Sequence, residues 1–253
     1  MKLSGAWIER PATQAVCRVL QNAGYQALFV GGCVRNALLN EPVNDIDIAT
    51  DAHPETVMKL TEAAGLKPVP TGLDHGTITV VSDHIPHEVT TFREDVETFG
   101  RHAVVSYSDD VRHDAQRRDF TMNALYARAD GEVIDPLGGL SDLRARRVRF
   151  IDDPAQRIRE DYLRILRFFR FHAWYGDPDQ GLDPDGLDAI GRYLDGLAGL
   201  SRERVGAEMT KLLAAPDPAP SIAAMRMTGV LSTVLPSVDD RALAPLVHLE
   251  RAA

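Results

Sequence analysis

The chain has 253 residues, 44% of them hydrophobic, and a formal net charge of −9, which allows a real core in one or two domains and excludes a generally basic nucleic-acid binder. Two cysteines, Cys17 and Cys33, exclude a disulfide framework, and no Cys/His cluster has zinc spacing. No apolar run reaches membrane-helix length and the opening MKLSGAWIERPATQ is not a signal peptide, so a cytoplasmic protein with no obligate protein partner is expected.

Residues 12–23 carry Val16, Val19 and Leu20 at helical spacing, closed by Gly24. The stretch LFVGGCVRNALLNEPVNDIDIAT, residues 28–50, then organises the chain. It reads as a strand over Leu28, Phe29 and Val30, a Gly31-Gly32 turn, a helix carrying Val34 and Arg35, and a strand from Asp45 to Thr50. Glycine lets a ligand approach the backbone, and the N–H groups that open a helix favour anions. Asp45 and Asp47, two apart on a strand, point their carboxylates to one face while Ile46 and Ile48 face the core. Paired carboxylates beside a phosphate cradle suit Mg²⁺-dependent phosphoryl transfer, because hard oxygens hold Mg²⁺ and Mg²⁺ holds phosphates. Taken singly, a Gly-Gly pair is a plain turn and a D-x-D a solvated acidic loop.

Residues 54–64 read as a second helix, opened by Pro54 and ended by Gly65. GTITVV and HEVTTFR read as paired strands around an SDHIP turn, in which His84 and His87 belong to the turn region rather than to a metal site. Glu88 lies in the second of these strands, either facing solvent or completing the oxygen site as a third acid that helps deprotonate an attacking hydroxyl. The polar segment 94–114 is expected to be a mobile loop. RRDFTMNAL is expected to start a helix, with Asp119 orienting Arg118 toward phosphate or ribose. VIDPLGGLSDL reads as strand, turn and helix start, with Ser141 as N-cap.

From Arg144 to Arg170 there are nine arginines against Asp152, Asp153, Glu160 and Asp161, a local basic face suited to triphosphate or RNA. Residues 154–171 are expected to form one helix, with Ile158, Leu163, Leu166 and Phe168 or Phe169 on its apolar side. Asp161, Arg164, Arg167 and Arg170 recur every three residues, so neighbours share a face. They read either as helical salt bridges or as base readers. For the second reading, a carboxylate accepts from the exocyclic amine of C or A, and a guanidinium donates to the ring acceptors. G and U present a carbonyl there and leave the carboxylate unmatched. After a Gly/Pro/Asp linker at 176–185, helices are expected over 187–197, 202–213 and 222–227, with an apolar tail to Ala253.

Several motifs occur together in one order: VGGCVRNALL with DIDIAT, HEVTTFR, RRDFTMNALY, DPLGGLSDL, REDYLRILRFFRF and SRERVGAEMTKLL. Over about residues 25–213 the chain resembles the class II tRNA nucleotidyltransferases, or CCA-adding enzymes, and the related bacterial poly(A) polymerases. The resemblance implies an α+β fold: a nucleotidyltransferase head of mixed β-sheet flanked by helices at 1–145, and an all-α neck and body. The neck, 146–215, would recognise the base, and an incomplete body would begin at 216–253. It implies Asp45 and Asp47 as Mg²⁺ ligands with Glu88 as third carboxylate, and Gly32, Arg35 and Arg118 as triphosphate and nucleotide contacts. It also implies Asp161 and Arg164 as base readers, and Arg167 and Arg170 as further nucleotide-binding arginines. The implied substrates are CTP, ATP and the 3′ end of tRNA. A poly(A) polymerase or a CC-only or A-only adder shares the same head motifs, and a silent nucleotide-binding or RNA-binding module is the alternative from another class. Asn36 stands where the family usually has Asp, which leaves the orientation of Arg35 open. Family members commonly continue past this chain's end with helices that grip tRNA.

Overall fold

The alternation of TITVV and of HEVTT builds two neighbouring strands of a sheet whose two faces have opposite character. In the computed structural model, which describes residues 1–99 and 102–252 (side chains at 1–94 and 106–250), two units separate: Met1–Glu97 with Ala103–Leu143, and Thr98–His102 with Arg144–Ala253.

The first unit runs α1 (Ala6–Glu9), α2 (Pro11–Asn22), β1 (Leu28–Val30), α3 (Gly32–Leu39), β2 (Asp47–Thr50), α4 (Pro54–Ala63), β3 (Lys67–Gly72), β4 (Thr77–Ser82) and β5 (Ile85–Thr91). Apart from Thr98, Phe99, His102 and Arg144, it continues through β6 (Arg93–Phe99), β7 (His102–Tyr107), α5 (Val111–Gln116), β8 (Tyr126–Arg128), β9 (Val133–Ile134) and α6 (Gly139–Arg144). Its described residues form a seven-stranded mixed sheet in the order β3-β4-β5-β2-β1-β8-β9, in which β2 and β5 are parallel and the other neighbours antiparallel. Ile48, Ile78, Val80, His87 and Val89 are buried on the face against which α2 and α4 pack. Thr79 and Glu88, register partners between them, lie on the other face. Asp83 and His84, at φ 48° and 63°, make the two-residue turn joining β4 to β5, the twist a tight hairpin needs.

Four expectations about the secondary structure of this unit change. Strand β2 begins at Asp47, so Asp45 lies in the approach to the strand rather than within it. Segment 94–114, expected to be a loop, contains β6 and β7, a two-stranded ribbon, and α5; residues 100 and 101 lie outside the described residues. After α5 the RRDFTMNAL stretch is not helix but a single 3₁₀ turn at Thr121–Asn123. At α6 the capping carboxylate is Asp135, which accepts from the N–H groups of Gly139 (2.8 Å) and Leu140 (3.0 Å) in place of Ser141.

The second unit contains α7 (Pro154–Glu160), α8 (Leu163–Tyr175), α9 (Pro184–Arg192), α10 (Arg202–Leu213), α11 (Ala219–Met227), α12 (Val230–Val234) and α13 (Leu243–Ala252). The helices on both sides of residue 215 fall within this one unit. Its core gathers Phe150, Ile158, Ile165, Leu166, Phe168, Phe169, Ile190, Leu212 and Met225, with the rings of Phe150 and Phe168 stacked at 5.4 Å. The single helix expected at 154–171 is two. Asp161 is extended (φ −153°, ψ 107°), and its Oδ1 accepts from the Leu163 N–H at 3.1 Å, the local bond by which aspartate ends one helix and opens another. Tyr162 fixes the break by packing against Gly196, where a Cβ would sit 2.0 Å from its ring. Among the described residues no helix is long and apolar enough to cross a membrane.

Gly139 seats the Thr121–Asn123 turn on α6. A Cβ there would lie 2.2 Å from the Thr121 carbonyl oxygen, and the Thr121 hydroxyl donates to the buried Asp142 at 2.8 Å. Gly139→Ala is expected to destabilise the first unit by about 2–3 kcal/mol. Urea denaturation with an unchanged midpoint would contradict this close approach.

Candidate active site

Gly31 adopts φ 69°, ψ −120°, a conformation closed to side-chain-bearing residues, and so turns β1 into α3. One turn into α3, Arg35 is 7% exposed. Its Nη1 donates to Asn123 Oδ1 at 2.5 Å, while Nε and Nη2 donate to Asn36 Oδ1 at 3.2 and 2.9 Å. The Asn36 amide donates onward to the Pro42 carbonyl at 2.8 Å, which fixes its oxygen toward Arg35. Asparagine at 36 therefore still orients the guanidinium through a neutral acceptor. Asn123 is itself held by Asp119, which accepts from its Nδ2 at 2.9 Å.

The acids are placed by strand register. Asp47 and Glu88 are register partners across the parallel pair β2–β5, so their side chains leave the same face of the sheet. The Glu88 N–H donates to the Ile46 carbonyl at 3.1 Å, extending the pairing back toward Asp45, which is exposed. Burial first, then the negative charges of Glu88 and Asp45, push the Asp47 carboxyl up to about 6 against the opposing pull of Arg118. Among the described residues no three His, Cys, Asp or Glu side chains are already drawn together as a metal cage. Two neighbouring carboxylates with a third in electrostatic reach are nonetheless a hard-oxygen donor set. They fit an ion that takes one or two carboxylates and completes its shell with water and phosphate.

Arg118 is oriented by Asp114, not by Asp119. Asp114 is buried; its Oδ2 accepts from Arg118 Nε (3.3 Å), Arg118 Nη2 (2.9 Å) and the Tyr126 hydroxyl (2.7 Å). Its Oδ1 accepts from Arg117 Nε (2.9 Å) and Nη2 (2.5 Å). Burial alone would raise the Asp114 carboxyl, but Arg118, then Arg117 and the Tyr126 hydroxyl, hold it well below the usual carboxylate range. Asp119 instead accepts from the Phe120 N–H and from Asn123. Sequence reasoning missed Asp114, Asn123 and Tyr126. The i, i+4 spacing of Asp114 and Arg118 was the available signal for the first.

The structure thus brings Gly31, Gly32, Arg35, Asp45, Asp47, Glu88 and Arg118 into the first unit around one turn and one pair of strands. Asp161, Arg164, Arg167 and Arg170 lie in the second. Asp161 does not share a helical face with Arg164; its Oδ2 accepts from Arg204 of α10 at 2.6 Å. Arg164 Nη1 donates to Glu160 (2.5 Å) and to the Arg157 carbonyl (2.9 Å). Arg167 lies over the Phe171 ring at 5.3 Å. Arg170 donates to the buried Glu208 of α10 at 2.5 Å and covers Phe171 at 4.6 Å.

Two family models match the sequence: the poly(A) polymerase head domain over residues 27–149, and a probable RNA- and SrmB-binding site of polymerase A over 181–241. The chain is 40% identical over 220 residues to the CCA-adding enzyme of Anoxybacillus flavithermus, covering 86% of this chain and 54% of that protein. It is 42% identical over 190 residues to the mitochondrial CCA tRNA nucleotidyltransferase 1 of Homo sapiens, covering 75% and 44%. The crystal structure of the Bacillus stearothermophilus CCA-adding enzyme in complex with CTP superimposes with a TM-score of 0.81 at 35% identity, over 93% of this chain and 56% of that one. The chain spans about half the length of the curated relatives it matches.

Because the native Asp114 carboxyl titrates below its unfolded value, its contribution to stability is complete above about pH 4 and is lost as pH falls toward the native value. Asp114→Asn, which leaves two arginines without their buried anion, is expected to cost about 3–5 kcal/mol at pH 7. Urea titrations at pH 7, 5 and 3 should show the gap to wild type narrowing only at the lowest pH. A gap independent of pH would refute the assignment.

Proposed function

Because the chain belongs to the tRNA nucleotidyltransferase and poly(A) polymerase family, we propose that it adds C and A to the 3′ end of tRNA from CTP and ATP, releasing pyrophosphate. The observation that carries this reading is the register that sets Asp47 opposite Glu88 on one face of the sheet, in a unit that also holds Arg118 and the Gly31 turn. The reaction belongs in the cytoplasm, where tRNA and nucleoside triphosphates meet.

Asp45 and Asp47 would hold Mg²⁺, which supplies charge neutralisation at the triphosphate and a lowered pKa for the attacking hydroxyl. The chain's own groups do the rest. Arg35 and Arg118, with the backbone at Gly31 and Gly32, bind the phosphate oxygens and hold the α-phosphorus in line with the RNA 3′-hydroxyl. Glu88, exposed beside Asp47, accepts the hydroxyl proton as the new P–O bond forms and the bond to pyrophosphate breaks. Asp161 and Arg164 read the base. Each Asp161 oxygen accepts one bond from the protein, from Leu163 N–H or from Arg204, and keeps a lone pair for an exocyclic amine. Arg167 serves the same nucleotide, whereas Arg170, tied to Glu208, anchors α8.

The head-domain match to poly(A) polymerase makes extension with ATP alone the second reading. Offering CTP alone, ATP alone and both to tRNA ending at its discriminator base separates the two. Asp47→Ala is expected to lower incorporation by at least about 10³-fold. Millimolar Mg²⁺ is expected to raise the melting temperature of the wild type but not of this variant. Near-normal turnover, or Mg²⁺ stabilisation that survives the substitution, would remove Asp47 from the metal site. Asp161→Ala is expected to cut the preference for C and A over G and U by about 10- to 100-fold, with a smaller change in total rate. Unaltered selectivity would exclude Asp161 as a base reader.

A further inference from the structure

We propose that Asp114 and Tyr126 are positioning residues that lock Arg118 with its Nη1 edge presented to the Gly31 turn, a role that rests on the nucleotidyl-transfer reading above. An arginine donates from three nitrogens in one plane, so occupying two of them fixes where the third points. Here Nε and Nη2 are occupied, by Asp114 Oδ2 and by the Tyr126 hydroxyl, which accepts from Nε at 3.2 Å. Among the described residues Nη1 takes no hydrogen bond from the protein. It lies where a Cβ on Gly31 would be 3.4 Å away, on the side of the turn that glycine leaves open.

Asp114 cannot serve as base or metal ligand. Arg117 holds one oxygen through two donors, and Arg118 and Tyr126 crowd the other. Both its oxygens are used as acceptors that hold Arg117 and Arg118 still. Tyr126 completes the lock in two ways. Its hydroxyl donates to Asp114 at 2.7 Å while accepting from Arg118, and the Arg118 guanidinium lies 5.5 Å from its ring centroid. Tyr126 is also the register partner of Val30, the residue before the Gly31 turn. The pairing of β8 with β1 therefore sets the distance between the arginine's anchor and the backbone it faces. An arginine held in this way binds a phosphate oxygen without first losing rotamer freedom, which is where its affinity would come from.

The test compares wild type, Tyr126→Phe, Arg118→Lys and the double variant in the full chain. Calorimetry measures CTP and ATP binding with Mg²⁺, and steady-state assays separate KM from kcat. Tyr126→Phe removes one oxygen and keeps the ring. It is expected to weaken triphosphate binding and raise KM by about tenfold while kcat changes by less than about threefold. Added to Arg118→Lys it should cause no further loss, since the lysine has no planar edge to align. Equal binding by wild type and Tyr126→Phe, or losses that simply add in the double variant, would overturn the positioning role alone. A wild type that binds neither triphosphate would overturn the nucleotidyl-transfer reading and this role with it. If Tyr126→Phe does not fold, Asp114→Glu, which keeps the charge but shifts the carboxylate by one methylene, should give the same shift in KM. An unchanged KM there would equally refute the proposal.

Discussion

One register joins this protein's core to its chemistry: Asp47 against Glu88 across the parallel strands β2 and β5. The next pair along, Ile48 and Val89, is buried on the opposite face, which α2 and α4 cover. Because side chains alternate, the packing of those apolar residues obliges both acids to face the other way. A slip of one residue would bury two carboxylates and expose two core residues at once. The Asp47 carboxyl is raised first by its burial and then by the charge of Glu88, so holding it ionised beside a second acid is costly. Hydrophobic burial on one face thus imposes an electrostatic strain on the other, of the kind that a polyvalent cation would relieve.

The positive side of the same unit is arranged differently. Arg35 and Arg118 are held in hydrogen-bond networks rather than extended into solvent, one by the amide oxygens of Asn36 and Asn123, the other by Asp114 and Tyr126. Asn36, Asp114 and Tyr126 lie within eight residues of the arginine each holds, whereas Asn123 reaches Arg35 across 88 residues, so local sequence supplies most of the anchoring and the fold completes it. The arginines' orientation is settled by the protein itself, so a ligand that used them would not have to order long side chains. Asn36 shows how little of this needs a formal charge. A neutral oxygen takes two guanidinium N–H bonds, and the amide's other end ties down the 40–44 segment that leads to the acids.

What the sequence revealed, and what it hid, follows from the range of the forces involved. The strand, glycine turn, helix and strand of residues 28–50 were legible because each depends on neighbours within a few positions. The facing of Ile46 and Ile48 into the core followed from alternation alone. The break at Asp161 was hidden because a regular i, i+3 series continues through it; Tyr162 seating on Gly196, 34 residues away, decides the matter. Asp114 lay inside a segment whose charge suggested a loop, and its value as a buried anion exists only once Arg117, Arg118 and Tyr126 surround it. Asp135 outcompeted Ser141 at α6 because a carboxylate satisfies two helix N–H groups where a hydroxyl satisfies one.

The arginine-rich second unit shows the limit of counting charges. Nine arginines between residues 144 and 170 suggest one basic face, yet several are spent internally. Arg157 and Arg164 both bond Glu160, and Arg170 bonds Glu208. Buried pairs of this kind contribute little net stability over an apolar replacement, but losing one partner is costly because the other charge stays buried. Their effect is to fix the relative placement of α7, α8 and α10. Asp161, anchored by Arg204 at one oxygen and by the opening of α8 at the other, gains from that rigidity. A carboxylate that rotated freely could turn either oxygen to any donor and would discriminate poorly between an amine and a carbonyl on an incoming base. Held by two bonds at fixed angles, it offers its remaining lone pairs in set directions. On the base-reading proposal, selectivity would depend on Arg204, which fixes the carboxylate, as much as on any group that touches the nucleotide.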